Sequence, residues 1–255
     1  MAIPLAIPLV LPQLYVFAIS HYCEKARWAL DYLGVDYEIK YLAPGSHANI
    51  LAGLGANGTS LPLLVRGKML IQGSSEIIAW AETASGNGRT LTCGMSAIVT
   101  DIDNHEDMIG VHVRRLYYSE ALLEHPQTVL PIFADYLAGA EAAALREAWA
   151  LIVSGMAELM DLGVEQGLES REILIQQLDW LDTLLDDGRD YLQGNTFTRI
   201  DLSVASLLAA LVEVSAHPTY VSLQIPPRLA LDLTHWQTRP VIQFVARMYH
   251  RHRSE

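Results

Sequence analysis

Cysteine is scarce: Cys23 and Cys93 are the whole supply in 255 residues. Two thiols cannot build a disulfide framework, so a reducing compartment is expected, and the cytoplasm is the natural location. Basic residues are also few. Lys and Arg total 17 against 29 Asp and Glu, a formal net charge of -12. That balance argues against nucleic acid as a partner, because phosphate binding needs a basic face. The one dense basic run, "RMYHRHR" at residues 247–253, is expected to complement the dipole at the end of a terminal helix. His250 and His252 within it fall on different helical faces and are not read as a metal pair. Nowhere does the chain offer the ~20 uninterrupted apolar residues of a membrane helix, so no membrane partner is expected. The apolar start "MAIPLAIPLVLPQ" has no basic opening and carries prolines at 4, 8 and 12. It reads as an extended surface arm over residues 1–12, not as a helix or a secretory signal.

What is present suffices for a large core. The chain is 51% hydrophobic and 18% charged, outside the range of disordered sequences and long enough for one large domain or two small ones. "QLYVFA" (13–18) reads as a buried strand and "VDYEIKYL" (35–42) as a second, alternating one. Between them a helix is expected over 21–33, closed by Gly34. Residues 43–60 are rich in Gly, Asn and Ser and read as an irregular loop with at most a short helix. "LPLLV" and "KMLIQG" form a hairpin around "RGK", and a helix follows over 74–82. The order strand, helix, strand, loop, strand, strand, helix describes a small α/β layer over residues 13–83. "TASGNGRTLTCGMS" breaks the composition and reads as a linker over 84–96. Everything from 97 to 255 reads as all-helical, with helices expected over 97–120, 127–138, 141–162, 169–186, 199–215 and 238–252. In "NTFTRIDL", Thr198 and Asp201 make a capping box, with Phe197 and Leu202 at the staple positions.

Chemistry-bearing residues gather at two helix starts. In "SHYCEKARWAL", Ser20 stands where the first strand turns into the first helix, followed by His21, Tyr22 and Cys23. Helical spacing of Cys23, Ala26, Leu30 and Leu33 puts Cys23 on the inward face. Ser20 is read as an N-cap or a working hydroxyl, and His21 as orienting a ligand, tuning Cys23 or simply solvated. "SHYC" resembles the Cys-x-x-Cys of glutaredoxins with the first cysteine replaced, so chemistry needing two cysteines is not available. In "GSSEIIAW", Ser74 and Ser75 open a helix whose free N–H groups suit a carboxylate. A later helix carries "GVHVRRLYYSEALL", with Arg114, Arg115, Tyr117 and Tyr118. Arg114 and Tyr118 share a face at four-residue spacing and can serve an acidic or aromatic ligand or only pack. His105 and His112 lie seven apart on one side of the same helix, too few ligands for a metal.

"SLPLLV", the "GSSEII" helix start, the linker and "TRIDLS", in that order, resemble the cytosolic glutathione transferase superfamily. The resemblance runs over about residues 13–252, and "SHYCEKARWAL" and "GSSEIIAW" look like a bacterial branch. It implies a thioredoxin-like α/β N-terminal domain, an all-α C-terminal domain, a homodimer, glutathione as the bound thiol and a small-molecule electrophile as second substrate. It also implies a cis bond between Leu61 and Pro62, whose neighbouring backbone pairs with the tripeptide like an added strand. Ser74 and Ser75 then hold the ligand's carboxylate, and Ser20 stabilises the thiolate as in serine-type members. Tyr15 and Tyr22 are the phenolic alternatives to Ser20. At Gly73 the sequence departs from the family, which commonly has a side chain there for the ligand's ammonium. Glu76 is nearby, and Asp101 or Asp103 can arrive from a partner chain. Three readings remain open: a conjugating transferase, a non-catalytic binding module of the same fold, and a one-cysteine thiol oxidoreductase using Cys23.

Overall fold

The computed structural model describes residues 11–92, 94, 96–212, 215–220 and 223–253. Cys93 and most of the expected N-terminal arm lie outside them. The chain opens with β1 (Gln13–Val16), α1 (His21–Tyr32), β2 (Glu38–Tyr41), α2 (His47–Leu54), β3 (Leu63–Arg66), β4 (Met69–Gln72) and α3 (Ser74–Ala84). The strands form one sheet in the order β2-β1-β3-β4, with the first pair parallel and the others antiparallel. This is the element order expected above.

Period-two alternation gives the sheet two apolar faces. Leu14, Val16 and Leu64 join the main core with α1 and α3, while Leu63, Leu42 and Leu51 form a smaller cluster under α2 with Tyr15 and Phe17. The segment 43–60, read as an irregular loop with at most a short helix, holds such a helix of eight residues. Its Gly and Asn content hid a turn whose buried anchor is Leu51 alone.

The remainder is helical: α4 (Ala97–Glu124), α5 (Pro126–Ala134), α6 (Gly139–Leu159), α7 (Val164–Leu184), α8 (Arg199–Leu208), α9 (Pro227–Trp236) and α10 (Pro240–His252). α8 is shorter than expected and passes into a 3-10 turn at Ala209–Leu211, and α9 has no counterpart in the sequence reading. The capping box is present. Asp201 accepts from the Thr198 amide at 2.8 Å and also from the Leu192 amide at 2.7 Å. Burial pushes its carboxyl up to about 6 despite those donors. Residues 84–92 are tied down, with the Glu82 carboxylate accepting from the Leu91 amide and the Thr90 and Thr92 hydroxyls. Among the described residues no helix is long and apolar enough to cross a membrane.

Two contacts aim the end of β1. The Tyr220 hydroxyl donates to the Ile19 carbonyl at 3.0 Å, and Thr219 donates to the Ala18 carbonyl at 2.5 Å. The helical part thus fixes the turn that presents Ser20.

Candidate functional site

A cavity of about 900 Å³ lies between the β1–α1 turn, residues 59–62, the start of α3 and helices α4 and α6. It is large enough for a drug-sized ligand, for which pockets of roughly 300–1,000 Å³ are usual. Ser20, His21, Leu61, Pro62, Gly73, Ser74, Ser75, Arg114 and Tyr118 all line it. Cys23 does not.

Ser20 caps α1, its Oγ accepting from the Cys23 amide at 3.3 Å. A hydroxyl has one hydrogen and two lone pairs, so a cap that uses a lone pair leaves the hydrogen free to donate. Ser20 caps the helix and also lines the cavity. Cys23 sits on the other side, 1% exposed. Burial pushes its thiol up to about 11, against the lowering effect of a hydrogen bond with Ser20. It is a packed thiol, and its candidacy as a catalytic residue is not supported by this placement.

His21 is not solvated, as one reading had it, but 5% exposed with Nε2 unpartnered. Burial, then the charges of Arg114 and His217, drive its pKa down to about 3, so the ring is neutral. The cause is the tight passage of α4. At Gly110 a Cβ would come 2.3 Å from the Tyr22 hydroxyl and 3.1 Å from His21 Nε2, a clearance only glycine gives. The Tyr22 hydroxyl donates to Asp107 at 3.4 Å, and burial followed by that carboxylate raises its pKa, holding it protonated. Tyr15 is outside the cavity, bonded to Gln13.

The bond between Leu61 and Pro62 is cis. The Pro62 carbonyl accepts from the Gly73 amide at 3.0 Å, and Gln72 ties back the Ser60 carbonyl at 2.8 Å. Gly73 has φ 100°, a backbone region closed to other residues without strain, and delivers Ser74 and Ser75 into the first turn of α3. Under that turn lies a residue the sequence reading missed. Lys25, 1% exposed, donates to Ser75 Oγ at 3.2 Å and pairs with Glu106 of α4 at 2.6 Å. Eight of the twelve α1 residues are buried, on more than one face, so periodicity gave no sign that this lysine turns inward.

Glu76, Glu106 and Asp107 line the same cavity as Gly73, which has no side chain of its own to offer. Asp103 is held by Arg199 of its own chain at 2.6–2.7 Å, and Asp101 is exposed and away from the cavity. On α4, Tyr117 also lines the cavity, while Arg115 is drawn off by Asp161, Glu169 and Ser170. His105 bonds Gln177 and stacks on Trp180, and His112 pairs with Ser170, both towards α7. Among the described residues no cluster of three or more His, Cys, Asp and Glu is placed to hold a metal.

With this geometry in hand, comparison with known proteins is specific. Residues 14–89 match the family of glutathione S-transferase N-terminal domains. Glutathione S-transferase TCHQD of Arabidopsis thaliana is 29% identical over 224 residues, covering 82% of this chain and 80% of that protein. Among solved structures, glutathione transferase GSTFuA3 from Phanerochaete chrysosporium superposes with a TM-score of 0.61 at 13% identity, covering 95% of this chain and 97% of that one. The glutathione S-transferase CsGST63524 of Ceriporiopsis subvermispora, in complex with glutathione, gives 0.59 at 14% identity over 96% and 98%. At such identities the likeness to the solved structures shows the fold.

Proposed function

From the premise that the chain is a member of the glutathione transferase superfamily, with a thioredoxin-like N-terminal part and an all-helical remainder, we propose that it binds glutathione and activates its thiol for attack on a small electrophile. One observation carries the reading: Ser20, Leu61, Pro62 and Ser74 line a single cavity. Leu61 stands at the cavity wall, its bond to Pro62 cis, and its backbone groups suit pairing with a stretched tripeptide. Amide hydrogens at the start of α3, with the Ser74 and Ser75 hydroxyls and buried Lys25 behind them, suit the γ-glutamyl carboxylate. Glu76, Glu106 and Asp107 suit its ammonium. Ser20 then donates its hydrogen to the sulfur and favours the thiolate over the thiol, whose free pKa is near 8.5. The reading includes a cytoplasmic homodimer acting in detoxification, supported by the family resemblance and the scarcity of cysteine.

The decisive measurement is binding. Immobilised glutathione is expected to retain the protein, with calorimetry giving a dissociation constant below the millimolar range. No heat and no retention at millimolar glutathione would overturn the proposal. A second reading, a binding module without turnover, is favoured by Gly73 and is distinguished by glutathione binding without conjugation of an aryl halide. The oxidoreductase reading has against it the burial of Cys23. Cys23→Ala is expected to leave conjugation within about threefold, because a thiol with a raised pKa in apolar surroundings is unreactive. Steady-state rates on the purified variant check this, and a hundredfold loss would reverse the roles given to Ser20 and Cys23.

A further inference from the structure

The cavity is chemically divided. Its polar end holds Ser74, Ser75, Glu76, Glu106 and Asp107, and its other end is walled by α6 and the aromatic residues of α4. Glu106 and Asp107 stand eight and seven residues before Arg114 on α4. At 1.5 Å per residue they lie roughly 10–12 Å up the helix axis from it. Neither pairs with Arg114: Glu106 bonds Lys25 through one oxygen and Asp107 accepts from the Tyr22 hydroxyl.

Arg114 is not. It faces the cavity, its Nε is shut off from solvent without a partner, and it forms no hydrogen bond or ion pair with the described residues. Arg115, one position on, has two carboxylates. Leaving one guanidinium nitrogen buried without a partner is unfavourable, and the fork of donors it belongs to matches a carboxylate. In the same cavity α6 presents Ile152, Met156 and Leu159 at helical spacing, with Met160 just past its end.

We infer that this end of the cavity takes an amphipathic acid, its carboxylate on Arg114 and its alkyl or aryl body along α6. The inference rests on the reading of the polar end as the glutathione site and names the class of second ligand that joins it there. A neutral apolar compound of the same length satisfies the α6 wall and leaves Arg114 unpaired. Charge-assisted bonding therefore sets the preference between the two.

Calorimetric titration of the intact protein with decanoate and with decan-1-ol, without glutathione, tests this. Decanoate is expected to bind at least about tenfold more tightly, the difference of a charged hydrogen-bonding pair. Arg114→Gln is expected to abolish that preference and leave decan-1-ol within about twofold, and Ile152→Asp to weaken decanoate. Equal affinities in the unmodified protein, a preference that survives Arg114→Gln, or decanoate binding indifferent to Ile152→Asp would each overturn it. So would an Arg114→Gln variant that loses glutathione while keeping decanoate, since Arg114 would then serve the tripeptide. A protein retained by immobilised glutathione but lacking the acid preference refutes this inference alone. One with the preference and no glutathione binding refutes only the transferase reading.

Discussion

Ser20→Ala is expected to lower kcat/KM for conjugation of an aryl halide by on the order of a hundredfold, the usual loss when one positioned donor to a developing anion is removed. Glutathione affinity is expected to stay within about threefold, because the other contacts proposed for the tripeptide, at Leu61 and at the start of α3, do not involve this hydroxyl. In the proposed mechanism the hydroxyl does not accept the thiol's proton, which leaves to water; it donates to the sulfur, whose electron pair forms the carbon–sulfur bond as the halide departs with its own. Without the donor, the thiolate is less favoured, its apparent pKa rises towards the free value near 8.5, and the rise of kcat/KM with pH moves to higher pH. Two controls separate this from damage to the helix. Ser20 Oγ accepts from the Cys23 amide, so the alanine also removes a cap and costs about 1 kcal/mol of stability. Glycine caps nearly as well as serine, so Ser20→Gly is expected to lose the rate while keeping the melting temperature. Ser20→Thr keeps a hydroxyl and is expected to recover part of the rate. A loss under threefold in the alanine variant, with glutathione still bound, would remove Ser20 from the mechanism.

Much of this site was legible because its parts are local. A serine before an inward-facing helix, a proline opening a strand and paired serines at a helix start each carry their own short-range signal, and all reach one cavity. The capping box was legible for the same reason: Thr198 and Asp201 are three residues apart and bond within one turn. What escaped depends on contacts made late in the sequence. His21 reads as a solvated helix-start residue until α4 arrives with Gly110 against it. Lys25 carries no local signal until Glu106 pairs with it, and the aim of Ser20 depends on Tyr220 bonding Ile19. Two helices were faint in the sequence: α2, read as at most a short helix, and α9, which was missed. α2 lies in a Gly- and Asn-rich stretch with a single buried residue, and α9 buries only Leu229, Asp232 and Trp236. Neither offers enough periodic apolar positions to stand out from a loop.

The terminal basic run holds the strongest stability prediction. Read from sequence, its cations complement the dipole of α10, but the structure gives one of them a different partner. Arg253 is 8% exposed and pairs with Glu24 of α1, 2% exposed, at 2.7 Å, while its other arm reaches Asp31 at 2.8 Å. The Trp28 indole donates to the His252 carbonyl at 2.9 Å, locking the same junction. Burial opposes the charge on Arg253, and the two carboxylates, Glu24 first, more than offset it. Arg253→Met leaves Glu24 buried and unpaired, and is expected to cost about 3–5 kcal/mol. For a chain of this length that lowers the melting temperature by on the order of 10 °C. The size of the effect comes from the orphaned carboxylate, not from the worth of the pair, and this makes a second, sharper expectation. Glu24→Leu combined with Arg253→Met removes both charges from the same apolar junction, and is expected to melt above either single variant. Thermal unfolding of the four proteins checks the cycle. A single-variant loss under about 1 kcal/mol would mean that water reaches Glu24, since only a solvated carboxylate tolerates the loss of its arginine so cheaply.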